Sequence, residues 1–222
     1  RLGESRLSMV VFQKTALGQS VWTGCRARMC LFPDADAAEA VFREARLEKC
    51  LFQKTTLDRA DFSGAVLGSS MFKGARGEGV VFAGADLTKA RMGGQAAFAG
   101  ADFTGAVLDQ ACFRDTDLSG ARFQGARISS AMFERCDMRR ADLYRVPARE
   151  TRFTRSNLEG ADMRGVNLFL GSLRKARIVA ADLSGSNLYG VDVYKAVFGK
   201  TRVDGANLKR TQIEHRTEYL PS

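Results

Sequence analysis

The sequence predicts an all-β solenoid, a coil that turns a corner every five residues, and three observations predict it. A large apolar residue recurs at every fifth position, from Leu2 through Leu7, Phe12, Leu17 and Trp22 to Met92. After a slip of one residue the series runs on from Phe98 to Ile213. Of 43 such positions only Ala27, Ala37, Gly77 and Ala148 lack a large apolar side chain, and 14 of the 15 Phe residues fall on the series. The residue two before each of these centres is small in all 42 cases, being Ala, Ser, Thr, Cys, Val or Gly. The residue just before the centre is often Asp, Asn or Arg, as in Ala-Asp-Leu at 85–87, 141–143 and 181–183 and Ala-Asn-Leu at 206–208.

A period of five fits neither a helix face, which repeats every 3.6 residues, nor a strand face, which repeats every two. It fits a chain in which each flat side contributes one small and one large inward side chain before the next corner. Four units then close a turn, and successive turns stack through backbone hydrogen bonds. In the first half the aromatic centres fall every ten residues and Leu mostly fills the alternate ones, which places aromatics on two opposite sides. Residues twenty apart, such as Phe12, Phe32, Phe52 and Phe72, therefore stack in a column; the alternation resumes with Phe103, Phe113, Phe123 and Phe133.

These two interlocked series resemble the pentapeptide repeat family, over essentially all 222 residues. The resemblance implies a right-handed quadrilateral β-helix of about twenty residues per coil. At the usual strand spacing of ~4.8 Å, about ten to eleven coils make a rod on the order of 50 Å long.

Taken in order, the elements form one solenoid over 1–213. Pro33 to Ala37 is expected to bulge or loop at one corner, Gly77 to Gly79 to loosen another, and Val146-Pro147-Ala148 a third. The one-residue slip at 93–97 enters at Met92-Gly93-Gly94-Gln95, where glycine allows an outward bulge that leaves both flanking stacks intact. Residues 214–222 leave the pattern as a C-terminal tail or cap over the open end of the stack. The chain begins at Arg1 with the pattern already in phase at Leu2, which is expected of a piece of a longer protein with an N-terminal region of its own. No run of 18 apolar residues exists, so no transmembrane helix and no membrane insertion are expected.

Cys25, Cys30, Cys50 and Cys136 occupy the small inward position, which reads as small buried hydrophobes. Cys30 and Cys50, one coil apart with side chains pointing the same way, have poor disulfide geometry. A reducing compartment follows, with the bacterial cytoplasm as the expected location. The single histidine, His215, lies outside the pattern, and there is no phosphate-binding glycine loop, no nucleophile elbow and no metal-spaced Cys/His cluster. No enzyme, cofactor or metal is therefore expected. The recurring Asp61, Asp86, Asp102, Asp117, Asp137, Asp142, Asp162, Asp182 and Asp192 read as turn chemistry, since Asp side chains bond nearby backbone at corners.

The net charge is +9. One class of the resembled family mimics double-stranded DNA and occupies type II topoisomerases, and mimicry needs a negative surface, which counts against that role here. Direct nucleic-acid binding is disfavoured too, because 25 acidic residues intersperse the basic ones and few aromatics are expected outside. One basic feature keeps the coil period: Arg135, Arg155, Lys175 and Lys195, with Arg152 and Arg174 nearby, form a ladder up one edge. Stacked like charges repel unless water, salt or an anionic partner relieves them. The ladder is either a solvated edge or a docking strip for an acidic protein surface.

The resulting expectation is a non-catalytic protein-interaction scaffold. The stretches 165–177 and 186–192 resemble the C-terminal pentapeptide domain of bacterial type VI secretion accessory proteins. That resemblance implies an adaptor that loads effectors, with the secretion spike or an effector as partner. The alternative is a nucleic-acid-associated or topoisomerase-interacting protein. The family resemblance also allows an end-to-end homodimer.

Overall fold

In the computed structural model, which describes residues 2–211, the five-residue unit has one conformation, repeated along the chain. Leu31 to Ala35 illustrates it: Leu31 pairs with the neighbouring coils, Phe32 is buried, Pro33 and Asp34 turn the corner, and Ala35 is buried. Most corners are β-turns closed by a bond to the centre's carbonyl, such as Ala45 N–H to Phe42 O at 3.1 Å and Cys25 N–H to Trp22 O at 2.9 Å. The residue two after the centre takes the left-handed conformation, with φ of 53° at Asp34, 52° at Lys54 and 64° at Gly64. For a non-glycine residue this costs ~1–2 kcal/mol. The cost is met because the same residue's N–H reaches the next coil, as in Lys14 to Pro33 O at 2.9 Å and Asp34 to Gln53 O at 2.8 Å.

Every pairing is parallel, between residues one coil apart. Strands β1 (Arg6–Ser8), β2 (Arg26–Arg28) and β3 (Arg46–Glu48) form a three-stranded sheet. Strands β4 (Met71–Lys73), β5 (Arg91–Gly93), β6 (Cys112–Arg114) and β7 (Met132–Glu134) form a four-stranded one on the next side. Elsewhere each side contributes a single bridge per coil, through to Asn187↔Asn207. The described residues contain no helix, so the molecule is an all-β solenoid.

The aromatic columns lie where the spacing puts them. Phe52 stacks on Phe72 with centroids 4.8 Å apart and planes 8° apart, and Phe42 on Phe62 at 4.7 Å and 8°. The two columns meet edge to face across the tube, as Phe52 does Phe62 at 5.7 Å and 88°. Met92 interrupts one column. Phe98, from an adjacent side, turns in there and lies 6.0 Å from both Phe72 and Phe82, nearly perpendicular to each.

Partners are 20 residues apart as far as Lys73↔Gly93 and 21 apart from Arg76↔Ala97 until the coil is complete; from Ala97↔Asp117 the spacing is 20 again. The extra residue is absorbed by two consecutive left-handed residues, Gly94 (φ 65°) and Gln95 (φ 63°), where other corners have one.

Three expected irregularities are absent. Pro33 makes no bulge, because it stands at the second turn position, where its fixed φ is wanted and its missing N–H has no partner to lose. The Gly77 corner is not loose: the coil closes in on the missing side chain, and a Cβ there would lie 2.4 Å from Val80 Cγ2 and 2.8 Å from the Leu57 carbonyl carbon. Around Pro147 both flanking residues stay buried and Pro147 still pairs with Asn167. Proline removes one donor there without displacing the strand.

All five cysteines are free, and Cys25, Cys30, Cys50 and Cys136 are buried as expected. The proposed tail, 214–222, lies outside the described residues. No described helix is long and apolar enough to cross a membrane.

Candidate docking edge

The solenoid places side chains outward at three positions per unit: the bridge residue and the two turn residues. The Asp residues at bridge positions serve the turns. In all nine the carboxylate accepts the N–H two residues on, from Asp61 to Ser63 at 2.9 Å through to Asp192 to Tyr194 at 2.9 Å. They are corner caps: Asp61, Asp102, Asp142, Asp162 and Asp182 share one side of the tube, with Asp142, Asp162 and Asp182 in successive coils, and each carboxylate is engaged by its own turn. Among the described residues no cluster of three or more His, Cys, Asp or Glu is placed to hold a metal.

Arg135, Arg155, Lys175 and Lys195 all stand at the left-handed turn position, with φ of 53°, 59°, 57° and 55°, and all are exposed. The backbone sets them one above another: Arg135 N–H reaches Thr154 O, Arg155 N–H reaches Arg174 O and Lys175 N–H reaches Tyr194 O, at 2.9 to 3.0 Å. The ladder is not uniform. Arg135 is held by Asp115, one coil earlier, through two bonds of 2.6 and 2.8 Å, and by Glu134 at 2.6 Å. The Arg135 guanidinium in turn keeps the Asp115 carboxyl below its ordinary range. Lys195 Nζ sits 5.3 Å from the Tyr194 ring centre, and Arg174 lies over the same ring at 4.4 Å while reaching Asp192 at 3.4 Å. Arg155, Lys175 and Lys195 have no carboxylate partner among the described residues. The cationic edge is therefore three residues long, with Arg135 as its neutralised end.

The pairing of Arg135 was open to sequence reasoning, since Asp115 stands one period before it. Cross-coil pairing at 18 or 20 residues is common elsewhere on the rod: Arg122 with Asp102 at 2.7 Å, Arg127 with Asp109 at 2.7 Å, Arg177 with Glu159 at 3.0 Å. The structure also shows more aromatic surface than the expected few. Phe169, the one Phe off the series, stacks externally on Tyr189 at 5.3 Å, with Arg149 over Phe169 at 4.5 Å and Arg210 near Tyr189 at 5.5 Å. Its off-series position was the signal for an outward ring.

A parallel β-solenoid with a corner every five residues and a small-large inward pair on each side is the architecture of a non-enzymatic scaffold class. Family models described as pentapeptide repeats match residues 30–68, 60–94, 148–168 and 172–212, and a second such model matches 78–122. The chain belongs to the pentapeptide repeat family, whose fold is of the protein-interaction scaffold type. Among solved structures it is similar to HetL, a pentapeptide repeat protein involved in heterocyst differentiation regulation in the cyanobacterium Nostoc. The identity is 27%, the likeness covers 92% of this chain and 87% of that one, and the TM-score is 0.54. It is also similar to QnrB1, a plasmid-mediated fluoroquinolone resistance protein, at 21% identity, 86% and 92% coverage and a TM-score of 0.33. A thylakoid-lumen pentapeptide repeat protein of Arabidopsis thaliana is 30% identical over 45% of this chain and 66% of that one, with a TM-score of 0.28. No curated protein matches the chain.

Proposed function

We propose that the protein is a non-catalytic scaffold that holds an acidic protein surface along the edge formed by Arg155, Lys175 and Lys195, with Arg135 at its end. The carrying observation is that three stacked cations face no carboxylate, on a surface where many other arginines are paired across coils. Holding them in line costs repulsion that an acidic partner relieves. The similar Nostoc protein acts in regulation by its own description, a role that a rigid binding surface suits.

The finer reading is an adaptor in the bacterial cytoplasm that loads type VI secretion effectors onto the secreted spike. It rests on the resemblance of the stretches 165–177 and 186–192. The test is capture of spike and effector proteins by the native chain and by an Arg155→Glu, Lys175→Glu, Lys195→Glu variant. Native capture lost in the variant supports the docking edge. Capture that survives unchanged refutes the edge, and failure to capture either protein refutes the adaptor role. Affinity for duplex DNA that falls steeply with salt would favour the nucleic-acid alternative.

A further inference from the structure

The register slip leaves a hollow on the side that carries β4 to β7. Gly93 and Gly94 stand where other coils place turn side chains, so the surface is cut back into a concavity of about 840 Å³. Its floor is apolar. Met71 and Met132, each 39% exposed, and the partly buried Cys112 lie in one bridged column, interrupted only by Arg91.

The rim is cationic. Lys49, Lys73, Lys89, Arg91 and Arg114 line the hollow, and no Asp or Glu does. Arg114 is neutralised by Glu134 at 2.9 Å, while the other four have no side-chain ion pair among the described residues. Four uncompensated cations around an apolar floor attract anionic groups that arrive together with apolar ones.

We propose that this hollow docks an extended, acidic, amphipathic segment of a partner protein, its apolar side chains on Met71, Cys112 and Met132 and its carboxylates over Lys73, Lys89 and Arg91. From Met71 to Met132 is three coil steps, about 14 Å at ~4.8 Å each, which four or five residues of extended chain span at ~3.3 Å per residue. In an extended segment alternate side chains point opposite ways, so a Glu-Leu alternation presents one apolar row to the floor. Methionine side chains adapt their shape to such a row. A nucleic acid would meet the cations but leave the sulfur-lined floor unused, and no aromatic residue lines the hollow for base stacking. The hollow shares no lining residue with Arg155, Lys175 and Lys195 and goes beyond the docking-edge reading, so either can fail alone.

The test uses a fluorescein-labelled hexapeptide of alternating Glu and Leu, titrated into the chain by anisotropy, together with the rate of Cys112 alkylation by a maleimide. Controls are the alternating Lys-Leu peptide and a short DNA duplex. The Glu-Leu peptide is expected to bind and to slow Cys112 alkylation by about tenfold or more. A Lys73→Glu, Lys89→Glu variant, both exposed positions, should weaken binding at least tenfold, equivalent to ~1.4 kcal/mol. The Arg155→Glu, Lys175→Glu, Lys195→Glu variant should bind as the native chain does. The proposal is overturned if the peptide does not bind, if it binds without protecting Cys112, if charge reversal at Lys73 and Lys89 leaves affinity unchanged, or if only the duplex protects Cys112.

Discussion

Replacing Phe52 with alanine removes a ring that is fully buried and sandwiched between Phe32 at 4.7 Å and Phe72 at 4.8 Å, with Phe42 and Phe62 edge-on at 6.2 and 5.7 Å. Both stacked neighbours are fixed by their own coils, so little collapse into the void is open to them. The loss should lie at the upper end of the Phe→Ala range, ~4–5 kcal/mol, since ring pairing adds to the transfer and cavity terms. Phe12 supplies the internal control: it is partly buried, has one stacked neighbour, Phe32 at 5.0 Å, and meets Trp22 edge-on at 5.3 Å. In a solenoid each coil touches only its neighbours, so a central loss weakens two interfaces and a terminal loss one. Phe12→Ala should cost about half as much, ~2 kcal/mol. Urea unfolding followed by far-ultraviolet circular dichroism measures both. Equal costs, or a Phe52→Ala cost below ~2 kcal/mol, would refute the stacked-column account.

Three further outcomes follow from single features. Gly77→Ala should destabilise by ~2–3 kcal/mol through overpacking against Val80 and the Leu57 backbone, and Val80→Ala in the same chain should recover part of it. Strictly additive costs in that double-mutant cycle would show that the two residues do not share the space. The Asp115 and Asp162 carboxyls are lowered chiefly by hydrogen bonds from Arg135 and Arg164, and that of Asp61 is lowered although burial opposes it, through Ser63 and Arg43. A depressed folded value means that this stability is present above the unfolded carboxyl value near ~3.9 and is lost as pH falls through the folded values. The melting temperature should hold from neutral pH to about pH 5 and fall below about pH 4; a flat profile down to about pH 2 contradicts it. Thiol titration of the native chain should find Cys112 alone fast, because burial pushes Cys25 up to about 11 and Cys50 and Cys136 up to about 12, and Cys30 is buried as well. A second fast thiol would mean that the coils around that cysteine open readily.

The tube was legible because its inward positions obey one rule throughout: Phe52 and Phe72 are twenty residues apart and one ring above the other. The corner role of the nine aspartates was legible for the same reason, a fixed offset to a fixed backbone donor. Departures were harder to read. Pro33 and Gly77 look like breakers in one dimension, yet a turn that wants a fixed φ and a coil that contracts around Val80 both accept them. Outward chemistry depends on which residues meet across coils, and only the arithmetic of twenty exposes that, as for Arg135 and Asp115. The hollow at Gly93 and Gly94 had no motif at all, because it consists of side chains that are missing beside cations drawn from several coils.

The interruption of one ring column at Met92 has a mechanical consequence. The bonds between coils run along the rod, so the coils are links in series, and tension applied to the two ends is carried in full by each junction. Most junctions near the middle carry stacked rings on two sides, whereas between Phe72 and Phe113 one side has a thioether and a crosswise ring instead. Pulled lengthwise, the ring-lined stretch from Phe32 to Phe133 should part there first, since elsewhere in that stretch both columns are stacked.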